Sequence, residues 1–353
     1  MALTATAAGS PSQAELAAEA ERLFETGLPD LGYGDEEIER AAGLSWKINR
    51  LKKIKNAVIP AHVYQRAEVI HGVADFVGDS YKLSRLCAES KAESVVFCGV
   101  RFMAETAKIL SPEKRVLLPA PEAGCSLAES ITPAQVRALK KEHPGAPVAT
   151  YINTSAAVKA ETDVVVTSAN AERILSRLFA EHPKVVFIPD ELMGRNLAKA
   201  LGKKLGSELV VWKGRCIVHE NFDAASVAVY RRMYPGVKIL AHAECSPGLV
   251  EAVDFTGGTG GMMDYVSRSK ARSYMLVTEC GFGDLARSRF PEKKFIPMCR
   301  LCPYMKATGL PEILRALESP TASQIVDLPA ELARRAKRPL DRMFELTESA
   351  KGK

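Results

Sequence analysis

No stretch of this chain approaches the ~20 uninterrupted apolar residues that a membrane-spanning helix needs. Its opening residues, "MALTATAAGSPSQAELAAEAE", lack both a basic start and an apolar core, which argues against a secretory leader. The expectation is a cytosolic protein without a membrane partner. Aromatic residues are few, at 7%, and no long basic run is interleaved with them, so the mild net charge of +6 does not read as a nucleic-acid surface. It suits small anionic substrates instead. The densest basic segments, "RLKKIK" near residue 50 and "RRAKRPLDR" near 334, fall in helix-like stretches and read as solvated faces. Among the eight cysteines there is one close pair, Cys299 and Cys302 in "FIPMCRLCPYM", with no second such pair and no His-x3-His to complete a zinc site. In a reducing compartment the eight point to metal binding, catalysis or burial rather than to a disulfide framework.

What the chain does have, in 353 residues of which 47% are hydrophobic, is room for two or three domains and a pattern that occurs three times. "NAVIPAHVY", "APVATYIN" and "VKILAHAE" are short apolar runs whose last residues turn polar: His62 and Tyr64, Tyr151 and Asn153, His242 and Glu244. Each leads to a second strand that ends in a hydroxyl before a helix, at Ser80, Ser168 and Thr259, which lie 18, 17 and 17 residues beyond His62, Tyr151 and His242. A third strand ("SVVFCGV", "KVVFIPD", "SYMLVTE"), a helix and a fourth strand ("RVLLPA", "LVVW", "KKFIPM") follow. Just past the fourth strand comes a cysteine, Cys125, Cys216 or Cys302, which is 63, 65 or 60 residues after the same three starting points.

This alternation predicts an α/β protein of three similar small domains with parallel sheets. Residues 1–54 form an N-terminal helical extension containing the amphipathic "DEEIERAAGLSWKINRLKKIK". Residues 55–131 form the first repeat, completed by 306–330; 132–218 the second; 219–305 the third; 331–353 a C-terminal tail. Between repeats, "TPAQVRALKKEH" begins with Thr132 as cap, Pro133 at the first helical position and Gln135 closing a capping box. "NFDAASVAVYRRMYPG" begins at a plausible cap, Asn221.

Ligands of open parallel sheets gather beyond the carboxyl ends of the strands, where helix N-termini also point. If three such edges face one axis, Cys125, Cys216 and Cys302 meet there. Three thiolates hold either zinc, with water in the fourth place, or a 4Fe-4S cluster with one iron open to act as a Lewis acid. Plain burial is the competing explanation of any free cysteine. It is assigned here to Cys87, Cys98, Cys245 and Cys280, the last two of which flank site positions. Cys299 is expected to be able to form a reversible disulfide with Cys302, removing a ligand. For Ser80, Ser168 and Thr259 the bland role is helix capping and the additional one is anion binding. The glycine-rich "TGGTGG" fits neither a phosphate-binding P-loop nor a dinucleotide fingerprint.

The motifs "AHVYQ", "ADFVGDS", "YINTSAAVKA", "TSANA", "WKGRCIVHENF", "AHAEC" and "CPYMKATGL", in order over about residues 55–320, resemble the quinolinate synthase (NadA) family. The resemblance implies a pseudo-threefold triangle of three α/β domains around a central active site, with a 4Fe-4S cluster on Cys125, Cys216 and Cys302. It implies condensation of iminoaspartate with dihydroxyacetone phosphate to quinolinate, phosphate and water, in NAD biosynthesis, with L-aspartate oxidase or aspartate dehydrogenase as the source of iminoaspartate. The implied substrate contacts are His62, Tyr64, Ser80, Tyr151, Asn153, Ser168, His242, Glu244 and Thr259. Of these, Tyr64 and His62 are expected to transfer protons at the dihydroxyacetone carbons, and Glu244 to be the base nearest the cluster. Two departures stand out: Gly258 replaces the family's usual serine, and Ile296 stands where some members have a further cysteine. The alternatives are another three-cysteine 4Fe-4S hydro-lyase or reductive dehydroxylase, and a non-catalytic zinc scaffold or redox sensor.

Overall fold

Short runs of β-branched residues buried on both faces are what a parallel sheet covered by helices requires. The computed structural model, which describes residues 9–348, builds its sheets from them. Residues 1–8 of the expected N-terminal extension and 349–353 of the expected tail lie outside the described residues.

The first repeat supplies β1 (Ala57–Val58), β2 (Pro60–His62), β3 (Phe76–Gly78), β4 (Ser94–Val96) and β5 (Arg115–Leu117). The second supplies β6 (Val148–Tyr151), β7 (Val164–Val166), β8 (Val185–Ile188) and β9 (Leu209–Val211). The third supplies β10 (Lys238–His242), β11 (Phe255–Gly257), β12 (Ser273–Glu279) and β13 (Lys294–Ile296), followed by β14 (Cys299–Arg300). Two sheets run β7–β6–β8–β9 and β11–β10–β12–β13. In the first repeat β2 pairs β3 while β1 pairs β4 and β4 pairs β5, and only Ile59 separates β1 from β2. All three therefore read second, first, third, fourth strand, with parallel pairing throughout. The last strand, β15 (Ile325–Val326), joins the far edge of β5 antiparallel.

A carboxylate at the start of each second strand fixes this register. Asp75 accepts the Ile59 N–H at 2.8 Å, Asp163 that of Val148 at 2.8 Å and Asp254 that of Ile239 at 2.9 Å. Each also pairs with a lysine, Lys52, Lys140 or Lys238. A strand N–H that would otherwise sit unpaired at a sheet end is thus satisfied three times in the same way.

The N-terminal helices Gln13–Glu25 and Asp35–Ile54 pack on each other and, through Ile38, Ile48 and Leu51, share a core cluster with Ile59, Val96, Leu117 and Ile313. The closing helix, Ala330–Glu348, buries Ala336, Leu340 and Met343 in the main core and packs on β7. Its Phe344 ring lies 5.6 Å from that of Tyr81, and Thr347 accepts a hydrogen bond from Asn170 at 3.1 Å. Thr132 and Gln135 form the expected capping box of helix Pro133–Glu142. The cap of the next connector is corrected: helix Ala224–Met233 starts at Asp223, whose carboxylate accepts the Ala225 N–H, while Asn221 belongs to a short 3-10 turn. Among the described residues no helix is long and apolar enough to cross a membrane.

Candidate active site

The carboxyl ends of the three sheets open on one cavity, with about 760 Å³ of unfilled space that is partly open to solvent. All twelve positions singled out in the sequence line it: His62, Tyr64, Ser80, Tyr151, Asn153, Ser168, His242, Glu244, Thr259, Cys125, Cys216 and Cys302. The first strand of each sheet brings the polar pair, the helix after the second strand brings the hydroxyl, and the loop after the fourth brings the cysteine.

At the strand ends, backbone geometry decides which way the histidines are protonated. The Tyr64 N–H points to His62 Nδ1 at 3.2 Å, and the Glu244 N–H to His242 Nδ1 at 3.4 Å. An acceptor at Nδ1 leaves the proton of the neutral ring on Nε2. Burial keeps both rings neutral: it pushes His62 down to about 3, helped by His242 and Lys306, and His242 down to about 4 against the opposing pull of Glu244.

A buried chain of side chains then crosses the cavity floor. Tyr64 Oη lies 2.7 Å from Thr278 Oγ1, Thr278 Oγ1 3.0 Å from His219 Nε2, His219 Nδ1 3.0 Å from Glu244 Oε2, and Glu244 Oε1 accepts from Tyr151 Oη at 2.6 Å. One set of donors satisfies every member: Tyr64 donates to Thr278, Thr278 to His219 Nε2, and His219 Nδ1 and Tyr151 both to an ionised Glu244. Burial alone would raise the Glu244 carboxyl, but His219, His242 and the Tyr151 hydroxyl outweigh it and hold the group below its usual range. Both tyrosines move up, from burial and then from the Glu244 charge.

His219 and Thr278 were not among the sequence candidates. The available signal for His219 was the Cys-x-x-His spacing in "GRCIVHE". Its Nδ1 also lies 3.2 Å from Cys216 Sγ, and the ligand atoms of Cys216, His219 and Glu244 all fall within 4.8 Å of one another.

Cys125, Cys216 and Cys302 are free thiols, half-buried at the cavity wall. Burial raises all three, Cys125 to about 12, and neighbouring negative groups add to it: Glu244 and Cys302 for Cys125, Glu244 and Cys125 for Cys216. Three such thiols facing one space are poor anions without a cation and good ligands with one, so the donor set fits a cationic iron-sulfur group.

The expected disulfide is corrected. Cys299 is bonded to Cys280, not to Cys302, with the two Cα atoms 4.8 Å apart. The reason is tertiary: β14 lies beside the end of β12, with Thr278 opposite Cys299, so Cys280 is the near neighbour. Cys302 stays at the cavity, its N–H accepted by Glu279 at 3.1 Å, while Lys306 bridges Glu279 to the Tyr64 carbonyl. Cys280 is thus not a plain buried thiol, whereas Cys87, Cys98 and Cys245 are.

The capping role proposed for the hydroxyls is also corrected. Asp79, not Ser80, caps helix Ser80–Glu89, and Gly258 precedes Thr259 at the start of helix Thr259–Arg268. Ahead of helix Ala171–Glu181 it is Asn170 that takes the Thr167 N–H. None of the three hydroxyls takes a capping N–H among the described residues. Gly258 has a steric explanation: a Cβ there would lie 2.4 Å from Ser168 Oγ, so the Ser168 hydroxyl occupies the room a serine side chain would need.

Comparison with known proteins agrees with this geometry. The family model described as "Quinolinate synthetase A protein" matches residues 46–345. "Quinolinate synthase" of Sinorhizobium fredii is 47% identical over 301 residues, covering 85% of this chain and 82% of that protein. That of Xylella fastidiosa (strain Temecula1) is 47% identical over 299 residues, 85% of this chain and 86% of the other. That of Agrobacterium fabrum is 47% identical over 299 residues, 85% and 84%.

Proposed function

The chain belongs to the quinolinate synthetase A family, and from that premise we propose that it makes quinolinate for NAD biosynthesis by condensing iminoaspartate with dihydroxyacetone phosphate. The products are quinolinate, phosphate and two waters. The observation that carries the reading is that twelve positions from three separate strand-helix repeats, chosen by spacing, line one cavity.

Cys125, Cys216 and Cys302 would hold a 4Fe-4S cluster. When bound, such a group supplies one iron without a protein ligand as a Lewis acid. The protein's own residues do the rest. Ser80, Ser168 and Thr259, which take no capping N–H, bind the two carboxylates and the phosphate that the substrates bring. Tyr151 and Asn153 hold the substrates against the same wall. Neutral His62 presents an Nε2 proton to a substrate oxygen, and Tyr64 exchanges protons at the dihydroxyacetone carbons. Glu244, ionised and buried, takes protons from carbon. The path Tyr64–Thr278–His219–Glu244 lets a proton gained at one end be released at the other without opening the cavity to water. The cavity admits small anions, and the enzyme that supplies iminoaspartate is one that oxidises L-aspartate.

An anaerobic assay for quinolinate from the two substrates tests this directly: sustained formation supports it and none overturns it. A second reading rests on the compact group Cys216, His219 and Glu244, which would take a single zinc ion. Metal analysis separates the two. Brown protein with about four irons per chain is the first, and colourless protein with one zinc the second.

A further inference from the structure

Lys159 is the largest charged side chain with no exposure at all, and nothing in the chemistry above uses it. It makes no ion pair among the described residues. Its Nζ instead donates to two backbone carbonyls, Ile152 O at 2.7 Å and Thr154 O at shorter range, and sits 5.4 Å over the Phe102 ring. A buried, unpaired ammonium is costly, and apolar residues of similar length fill space without that cost. A lysine at this buried position therefore calls for a reason beyond packing.

The two carbonyls flank Asn153, one of the cavity residues, and Ile152 and Phe102 line the same cavity. On the side away from Lys159 the turn is tied to the sheet by the Ile152 N–H, which goes to Val166 O, and by the Thr150 and Thr154 hydroxyls, 3.2 Å apart. The Thr154 N–H goes to Ile152 O and the Thr154 hydroxyl to Tyr151 O, while Glu105 takes the Ala156 N–H at 2.7 Å. Glu105 is also the carboxylate whose charge most favours the protonated amine at 159, against a burial that draws it down to about 7.

We propose that Lys159 is a positioning residue: by clamping the carbonyls on either side of Asn153, it fixes the direction in which that amide meets the substrate. The proposal rests on the functional reading given above. A residue acting through Asn153 contributes what Asn153 contributes, so removing either or both has the same effect. Loss of a contact made equally in ground and transition states raises KM and leaves kcat nearly alone.

The test is a double-mutant cycle on cluster-loaded protein with Lys159→Met, Asn153→Ala and the pair, measuring quinolinate affinity, KM for each substrate and kcat. Lys159→Met is expected to weaken quinolinate binding and raise one KM by about tenfold, with kcat within a few-fold and the iron content unchanged. The pair should be no worse than Asn153→Ala alone. Lys159→Gln, which keeps a two-proton donor, should recover part of the loss. Additive effects, or wild-type KM in Lys159→Met, overturn the proposal. If neither Lys159 variant folds, the lysine is a structural residue and the proposal fails. Wild-type protein that neither binds nor makes quinolinate defeats the functional reading instead, which keeps the two failures distinct.

Discussion

At residues 62–64 and 242–244 the chain makes the same turn twice and ends it differently. Both strands finish on a buried histidine whose Nδ1 accepts the N–H two residues on. In the first repeat that next residue is Tyr64, neutral and bonded to the Thr278 hydroxyl; in the third it is Glu244, ionised and held by Tyr151 and His219. One backbone device thus serves as the support for a donor on one side of the cavity and for an acceptor on the other. The lesson is that the repeats agree at the aspartates that fix strand register and at the cavity cysteines, and differ at the polar residues that end their first strands.

The sharpest way to break the comparison is at the positions where all three repeats still agree at the cavity. Replacing Cys125, Cys216 or Cys302 by Ala should abolish brown colour and activity together, while Cys299→Ala, which removes only the bond to Cys280, should keep the iron. Iron analysis and the visible spectrum read this out, and iron lost from Cys299→Ala but kept in Cys302→Ala would reverse the assignment.

Next in size is the residue at which the two turns differ most. Glu244→Gln keeps the shape and the hydrogen-bonding oxygen but loses the base. It should load its cluster and bind substrate, yet turn over on the order of a hundredfold more slowly. A kcat within a few-fold of wild type would take Glu244 out of proton transfer and leave it as a strand-end acceptor.

The hydroxyls come third. Ser80→Ala, Ser168→Ala and Thr259→Ala should each raise KM by roughly tenfold, the worth of one hydrogen bond to a charged group. Their melting temperatures should barely change, because none of the three hydroxyls takes a helix-start N–H among the described residues and Asp79 already caps the first of the helices. A variant that melts earlier with wild-type KM would make the hydroxyl structural.

The smallest effect is on stability against pH. His62 is held neutral in the folded protein, at about 3, while in the unfolded chain it titrates near the ordinary 6.5. Between those values the unfolded chain binds a proton that the folded one refuses, so stability falls as pH drops through 6.5. Comparing wild type with a variant at this one position isolates its share from that of other buried groups, such as Asp190 and Glu279, whose carboxyls burial raises. Denaturant midpoints from pH 7.5 to 5.5 should therefore fall less steeply in His62→Gln, by up to about 1.4 kcal/mol per pH unit. An unchanged slope would mean that the ring is charged when folded.

Much of this was legible because the repeat leaves a mark in sequence. Apolar runs that turn polar at their carboxyl ends, and hydroxyls and cysteines at matched distances, place twelve residues at one edge of each sheet without any tertiary information. What escaped was whatever the repeat does not copy. His219 sits three residues after Cys216, but the same offset gives Ala128 after Cys125 and Met305 after Cys302, so matching repeats hides it. The Cys280–Cys299 bond joins residues 19 apart through the pairing of β14 with β12, a register that spacing within "MCRLC" cannot show. The helix caps were misread by a residue or two for a local reason: Asp79 is the better acceptor beside Ser80, and the helix expected to start at Asn221 starts two residues later at Asp223. The glycine at 258 had no meaning until Ser168 from another sheet was seen against it.

The last described helix and β15 carry a consequence for how the molecule is made. Domains generally fold in the order in which the ribosome delivers them. Here the free edge of β5, in the first repeat, waits for Ile325–Val326, and Asn170, which holds the loop before Ser168, waits for Thr347. A nascent chain that already contains every cavity residue up to Cys302 still lacks both partners. Messages cut short after the third repeat would therefore yield a chain that carries all twelve cavity positions while its first two repeats still lack the strand and the helix that complete their packing.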